Sequence, residues 1–334
     1  FVWANRGKQS IELDLKDDDD RATLDRLIAG ADVFIQNLSH AAAHRAGLAA
    51  TQLVERHPHL VACDVTGYGS GGPRTDDKAY DLAIQAESGA MALTGSAEAV
   101  SKVGLSVADI SAAMYALSSI LAALYRRHVT GEGAAIELSM LECLAEWTAP
   151  HIYAAAATGS VPERAGHRHA VIAPYGLYEL ADGSSVLVAV QSNPEYASFA
   201  TTVLGAPHLV DDDRFVDNAD RVANVDDLET EIRRAFAATP ADEIVRRLDT
   251  GRVAWARVRD PLEVWHHEQL DARDRTHVVL TPTGPATVFR PPFNISGLPE
   301  PRTELPALGE HDPALLDQLF RRADERERSG DGSA

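Results

Sequence analysis

The chain has 334 residues, 45% of them hydrophobic and 24% charged, a composition that builds a folded globular protein with a large core and excludes a disordered or fibrous one. Its 31 basic and 50 acidic side chains give a formal charge of −19. That field repels phosphate backbones and anionic lipid, so nucleic-acid and membrane-surface binding are not expected.

Taken in order, the segment Phe1-Val2-Trp3-Ala4-Asn5-Arg6-Gly7-Lys8 begins in mid-pattern, as if further residues preceded it. Residues 10–15 alternate polar and apolar and predict a strand, 21–29 an amphipathic helix and 31–37 a second strand. Helices are expected at 41–47 and 51–56, then a third strand at 60–65, closed by the turn-rich run Gly67 to Pro73. Strand and helix alternating through short connections predict an α/β fold: an open parallel sheet with helices on its faces and ligands at the carboxyl ends of its strands. A helix at 80–91 is broken at Thr94-Gly95.

The stretch 102–109 then runs into the apolar segment 110–128, with Asp109 where a helix N-cap would stand. A carboxylate kept ionised by the positive end of a helix and aimed into a cleft can also serve as a nucleophile. A strand at 135–138 and a helix at 140–149 follow, the latter ended or kinked by Pro150.

From Gly159 the texture changes. A loop at 162–173 leads into a hairpin pairing 175–178 with 186–190, followed by helical regions at 194–204, 225–238, 240–249 and 261–270. Residues 281–308 are Pro-rich and weakly periodic and are expected to cross back over the surface; 329–334 read as a frayed tail. The domain boundaries so drawn are 1–158 for a larger α/β domain, 159–285 for a smaller α+β domain, and 286–334 for a return to the first. Cys63 and Cys143 in apolar contexts read as buried free thiols; with no apolar run of spanning length and no leader pattern, the expected location is cytoplasmic.

Most familiar chemistry finds no anchor. No Gly-x-Gly-x-x-Gly follows a strand, no Lys-Ser/Thr completes a phosphate loop after Gly69-Ser70-Gly71-Gly72-Pro73, and no Gly-x-Ser-x-Gly occurs. His167, His169, His266 and His267 lack Cys, Asp or Glu at ligand spacing, so they read as solvated or capping histidines and no metal is expected. Glu142 and Glu146, one turn apart, read as a solvated helix face.

Several segments in a specific order nevertheless match a known pattern: Asn5 to Lys16, Ala31-Asp32-Val33 leading to Asn37, Lys78-Ala79-Tyr80-Asp81, Gly104 to Asp109, Ile120 to Leu124 with Arg127, Thr130 to Gly133, Ala173 to Gly176, and Leu308 to His311. In these the chain resembles the family III CoA-transferases, also called CaiB/BaiF, which include formyl-CoA transferase and the alpha-methylacyl-CoA racemases. The resemblance implies an interlocked homodimer with active sites between its domains. It implies no permanently bound cofactor, with acyl-CoA and a small carboxylic acid as substrates. By the same likeness Asp109 is the catalytic carboxylate. It would attack the thioester to form a mixed anhydride, and CoA thiolate would convert that to an aspartyl-CoA thioester. Asn37, Arg45, Lys78, Arg6 and Lys8 would contact CoA, and Tyr80 would lie by its thiol.

The racemases carry a His where this chain has Tyr80, and none occurs between His59 and His128. That weighs against an acyl-CoA epimerase or isomerase, and the retained Asp109 weighs against a non-catalytic subunit of a heteromeric transferase. Two departures, Ser39-His40-Ala41 after Asn37 and Arg164 to Pro174 in place of a Gly-rich lid, weigh against the formyl/oxalyl substrate pair.

Overall fold

The computed structural model describes residues 1–161, 163–299 and 302–329, so residues 330–334 of the expected tail lie outside the described residues. The chain divides into two compact units, one of residues 1–89, 104–150 and 266–334, the other of residues 90–103 and 151–265.

The first unit is built on β1 (Val33–Gln36), β2 (Val61–Thr66) and β3 (Ala134–Ser139), parallel and adjacent in that order. Val33 pairs with Val61 and Val61 with Ala134, so the three strands start level, and β1 stops at Gln36, opposite Asp64, before β2 and β3 run on to Thr66 and Ser139. Residues 60–63 are fully buried, as expected of a central parallel strand covered on both faces. Ile28, Leu48, Ala50 and Leu53 pack with Leu60 and Ala62. Ile28 comes from the flanking helix Asp18–Gly30, Ala50 and Leu53 from the helix Ala50–Arg56, and Leu48 from the link before the latter.

The expected strand at 10–15 does not form. Ser10 N–H instead donates to Glu310 O at 2.9 Å and Gly309 N–H to Ser10 Oγ at 3.1 Å, so this segment is held by loop contacts. The 80–91 helix is two pieces, Asp81–Glu87 and Ala90–Leu93, separated at Gly89, whose φ of +84° a side chain rarely adopts.

Val107–Thr130 forms one helix of 24 residues, ended by Gly131 in the left-handed conformation. By length and composition it could cross a membrane, against the expectation that no apolar run reaches that length. A core helix packed on a sheet has the same composition, and this one packs on β2 and β3. The following helix, Met140–Thr158, contains Pro150 rather than stopping there, and the first unit gives way to the second at that residue.

The second unit holds an antiparallel sheet of β4 (Tyr175–Glu179), β5 (Ser185–Ala189) and β6 (Ala254–Arg257). Val186 and Val188 point into a core with Phe199, Phe215, Ile232, Phe236 and Leu248, drawn from the surrounding helices.

The second unit ends at 265, not at the expected 285. Beyond it, β7 (Thr276–Thr281) and β8 (Gly284–Phe289) form a hairpin. Leu280 N–H donates to Thr303 O and Leu305 N–H to Leu280 O, which ties the hairpin into the first unit. The helix Pro313–Ser329 closes the described chain against Asp18–Gly30. There Gly30 is obligatory in size, since a Cβ would sit 2.1 Å from Leu319 O.

Candidate active site

A cleft of about 770 Å³ opens in the first unit where the three parallel strands end. Parallel strands deliver their carboxyl ends to one edge, and the chain leaving each strand there forms the walls. Gln36, Asn37 and His40 come from the end of β1, Thr66 and Gly67 from β2, Met140 from the residue after β3, and Lys78, Tyr80 and Asp81 from the approach to the Asp81–Glu87 helix. The Val107–Thr130 helix turns Asp109, Ala112, Ala113 and Ala116 toward the same space. Their spacing of three and four puts them on one face, and three alanines leave room beside the carboxylate.

Asp109 is not the N-cap. The helix begins at Val107 with Ser106 at the cap position, and Asp109 stands in the first turn. The capping acceptor is Asp81, whose Oδ1 takes the Ala108 N–H at 2.8 Å and the Asp109 N–H at 3.3 Å. The electrostatics also run against expectation. Burial, then the neighbouring Asp81 charge, push the Asp109 carboxyl above its ordinary value, where the helix terminus alone would have lowered it.

Of the residues implicated from sequence, the structure brings Asn37, Lys78, Tyr80 and Asp109 to this one cleft. Tyr80 is 75% exposed, so it is not a packed helix-start aromatic. Arg6, Lys8 and Arg45 are not brought to it. The Arg6 guanidinium donates to Phe289 O, and Lys8 Nζ donates to Asn5 Oδ1 at 3.2 Å. Lys8 lines a separate depression with Gln9, Leu280, Glu304 and Glu310. Arg45 is exposed in the last turn of the short His40–Ala46 helix, which ends at Gly47.

Gln36, His40 and Asp81 were given no role in the site from sequence, although Asp81 closes a matched segment and His40 lies in a departure from the family pattern. Gln36 Nε2 donates to Asp64 Oδ1 at 2.7 Å, and its own Oε1 receives the Leu38 N–H, which holds the turn leading to Asn37 and His40. Only the position of Gln36 at the last residue of a strand could have marked it. The Gly-rich run is a loop, as read, anchored by Ser70 Oγ donating to Glu137 Oε2 at 2.7 Å. Among the histidines, His267 caps the Glu268–Ala272 helix and His169 stacks on Tyr175.

Known proteins are similar over nearly the whole chain. An acetyl-CoA:oxalate CoA-transferase of Acetobacter aceti is 33% identical over 94% of this chain and 80% of its own length. A succinate–glutarate CoA-transferase of Agrobacterium fabrum is 32% identical over 94% of this chain and 79% of its own. Among solved structures, a CaiB/BaiF family protein from Brucella suis superposes with a TM-score of 0.81 at 30% identity, covering 94% of this chain and 82% of that one. The family model described as CoA-transferase family III matches residues 1–312. The chain therefore belongs to CoA-transferase family III and is a CoA-transferase.

Proposed function

We propose that this enzyme moves CoA from an acyl-CoA to a short dicarboxylic acid, with Asp109 as the nucleophile. The observation that carries the reading is the convergence of Asn37, Lys78, Tyr80 and Asp109, far apart in sequence, on one cleft at the carboxyl ends of the sheet. The Asp109 carboxylate attacks the thioester carbonyl and CoA thiolate leaves, giving a mixed anhydride. The thiolate then attacks the aspartyl carbonyl, expels the donor acid and forms an aspartyl-CoA thioester. The acceptor carboxylate runs the same steps in reverse. One thioester replaces another, so no nucleotide is consumed.

Lys78 supplies a cation at the cleft wall for a phosphate or the second carboxylate of the acceptor, and Asn37 and Tyr80 supply polar contacts for the pantetheine arm. The choice of a dicarboxylate follows the relatives, which are named for oxalate and for succinate and glutarate. By family likeness the working unit is an interlocked homodimer.

The test is a mass-spectrometric screen of acetyl-CoA and succinyl-CoA against oxalate, glutarate and monocarboxylic acids, with Asp109→Asn alongside. Exchange onto a dicarboxylate is expected for the native protein. For the variant the expected rate is lower by at least about 10³-fold, the scale of losing a covalent nucleophile. Hydroxylamine added to enzyme and acyl-CoA should trap its adduct on Asp109. Full exchange by Asp109→Asn would refute the mechanism.

A further inference from the structure

We propose that Asp81 is the positioning residue of this site: its carboxylate ties the first turn of the Val107–Thr130 helix to the Asp81–Glu87 helix and so fixes where Asp109 stands. The inference rests on the reading of Asp109 as nucleophile. It begins from unsatisfied backbone. The first N–H groups of a helix have no partner within it, and Ser106, at the cap position, makes no side-chain capping bond to the described residues. Asp81, 27 residues upstream of Ala108, takes both the Ala108 and the Asp109 N–H on one oxygen.

Its other oxygen is fixed as well. Asp81 Oδ2 receives Gln85 Nε2 at 2.7 Å, and the same amide donates to Leu105 O at 3.2 Å. Gln85 is 1% exposed, so this amide works in a dry environment where a hydrogen bond holds its geometry well. The entry to the catalytic helix is thus clamped at Leu105 and again at Ala108–Asp109, both times by one short helix.

Charge adds a second consequence. The groups facing Asp109 around the cleft are Asp76, Asp77, Lys78, Tyr80 and Asp81 on one side and His40 on another. After burial, Asp81 is the group that raises the Asp109 carboxyl. A carboxylate held above its ordinary value is the stronger nucleophile once ionised, and its ionisation sets the acid limb of the rate profile. A raised value moves that limb to higher pH; removing the Asp81 charge moves it back down.

Two variants separate clamp from charge. Asp81→Asn keeps an oxygen that accepts the two N–H groups and loses the charge together with the acceptor for Gln85 Nε2; Asp81→Ala loses all three. The measurements are the pH profile of kcat/KM for the donor and acid found by the screen, and the titration of the Asp109 carboxyl by ¹³C NMR in the free enzyme, assigned by difference from Asp109→Asn. Asp81→Asn is expected to shift both the acid limb and the Asp109 titration to lower pH and to lose less kcat on the high-pH plateau than Asp81→Ala. Asp81→Ala is expected to lose about 10²-fold in kcat on that plateau, the scale of a nucleophile displaced by an ångström.

An unmoved limb and titration in Asp81→Asn, or native plateau kcat in Asp81→Ala, would overturn the proposal. A merely structural cap would lower thermal stability and leave the titration in place. If Asp81→Ala does not fold, the titration of Asp81→Asn still decides. Should Asp109→Asn exchange CoA at the native rate, the nucleophile reading fails by itself, while the Asp109 titration continues to report on Asp81.

Discussion

Cys63, on β2, is fully buried, and Cys143, in the Met140–Thr158 helix, is 6% exposed. Burial, Asp64 and Cys143 push the Cys63 thiol up to about 11, and burial and Glu142 raise Cys143 as well. Both are therefore protonated and shielded at pH 8, and a thiol reacts through its thiolate. Native protein treated with iodoacetamide at pH 8 is expected to gain no adduct in the time in which denatured protein gains two, as intact mass will show. Buried thiols were readable from the apolar context alone. Arg221 was not: a guanidinium 1% exposed lies over the Tyr196 ring, 4.4 Å from its centroid, and donates to Ala173 O at 2.8 Å and Phe215 O at 3.0 Å. Its acceptors include backbone carbonyls from distant segments, and no residue-type pattern announces those.

At the scale of elements the wall carrying Lys78 and Tyr80 depends on a close backbone approach. Gly67, leaving β2, lies so near Ala79 that an added Cβ would sit 2.1 Å from the Ala79 Cβ. Gly67 cannot retreat cheaply, because its carbonyl accepts from Leu141 N–H at 3.1 Å. Gly67→Ala is therefore expected to displace the 78–80 segment. It should weaken kcat/KM for acyl-CoA by roughly 10-fold or more, with a stability loss of about 1–3 kcal/mol measured by denaturant unfolding. Native kinetics in a folded Gly67→Ala would show that the wall tolerates the shift.

The sequence revealed β1, β2 and β3 because each is a short apolar run between turn signals, and family likeness singled out Asp109, which the structure places at the cleft. It misplaced the cap because the acceptor comes from a separate helix, a contact with no local signature. It missed β7 and β8 because Pro282 and Pro285 mask the alternation, and it missed Pro313–Ser329 because charged residues dominate that helix. Residues 10–15 show the reverse error: their alternation was real, but no strand offered itself as a partner.

At the scale of the whole molecule, the Val107–Thr130 helix presents two faces. Asp109, Ala112 and Ala116 face the cleft, while Met114, Leu117, Leu121 and Tyr125, nearly half a turn around the axis, are 52%, 50%, 57% and 73% exposed. Their spacing makes one continuous apolar stripe. An exposed apolar stripe of this kind is the surface an interface covers, and a second copy of the chain is the occupant that the proposed homodimer supplies. Sedimentation equilibrium is therefore expected to return twice the 35.9 kDa chain mass. The paired substitution Leu121→Asp and Tyr125→Asp, placing two charges on the stripe, should lower the yield of dimer recovered on refolding at micromolar concentration. The cleft residues lie on the other face of the same helix, so the chain's own Asp109 titration should be unchanged by that pair. A native protein that sediments as a 35.9 kDa monomer would remove the dimer from the proposal and leave the stripe without an occupant.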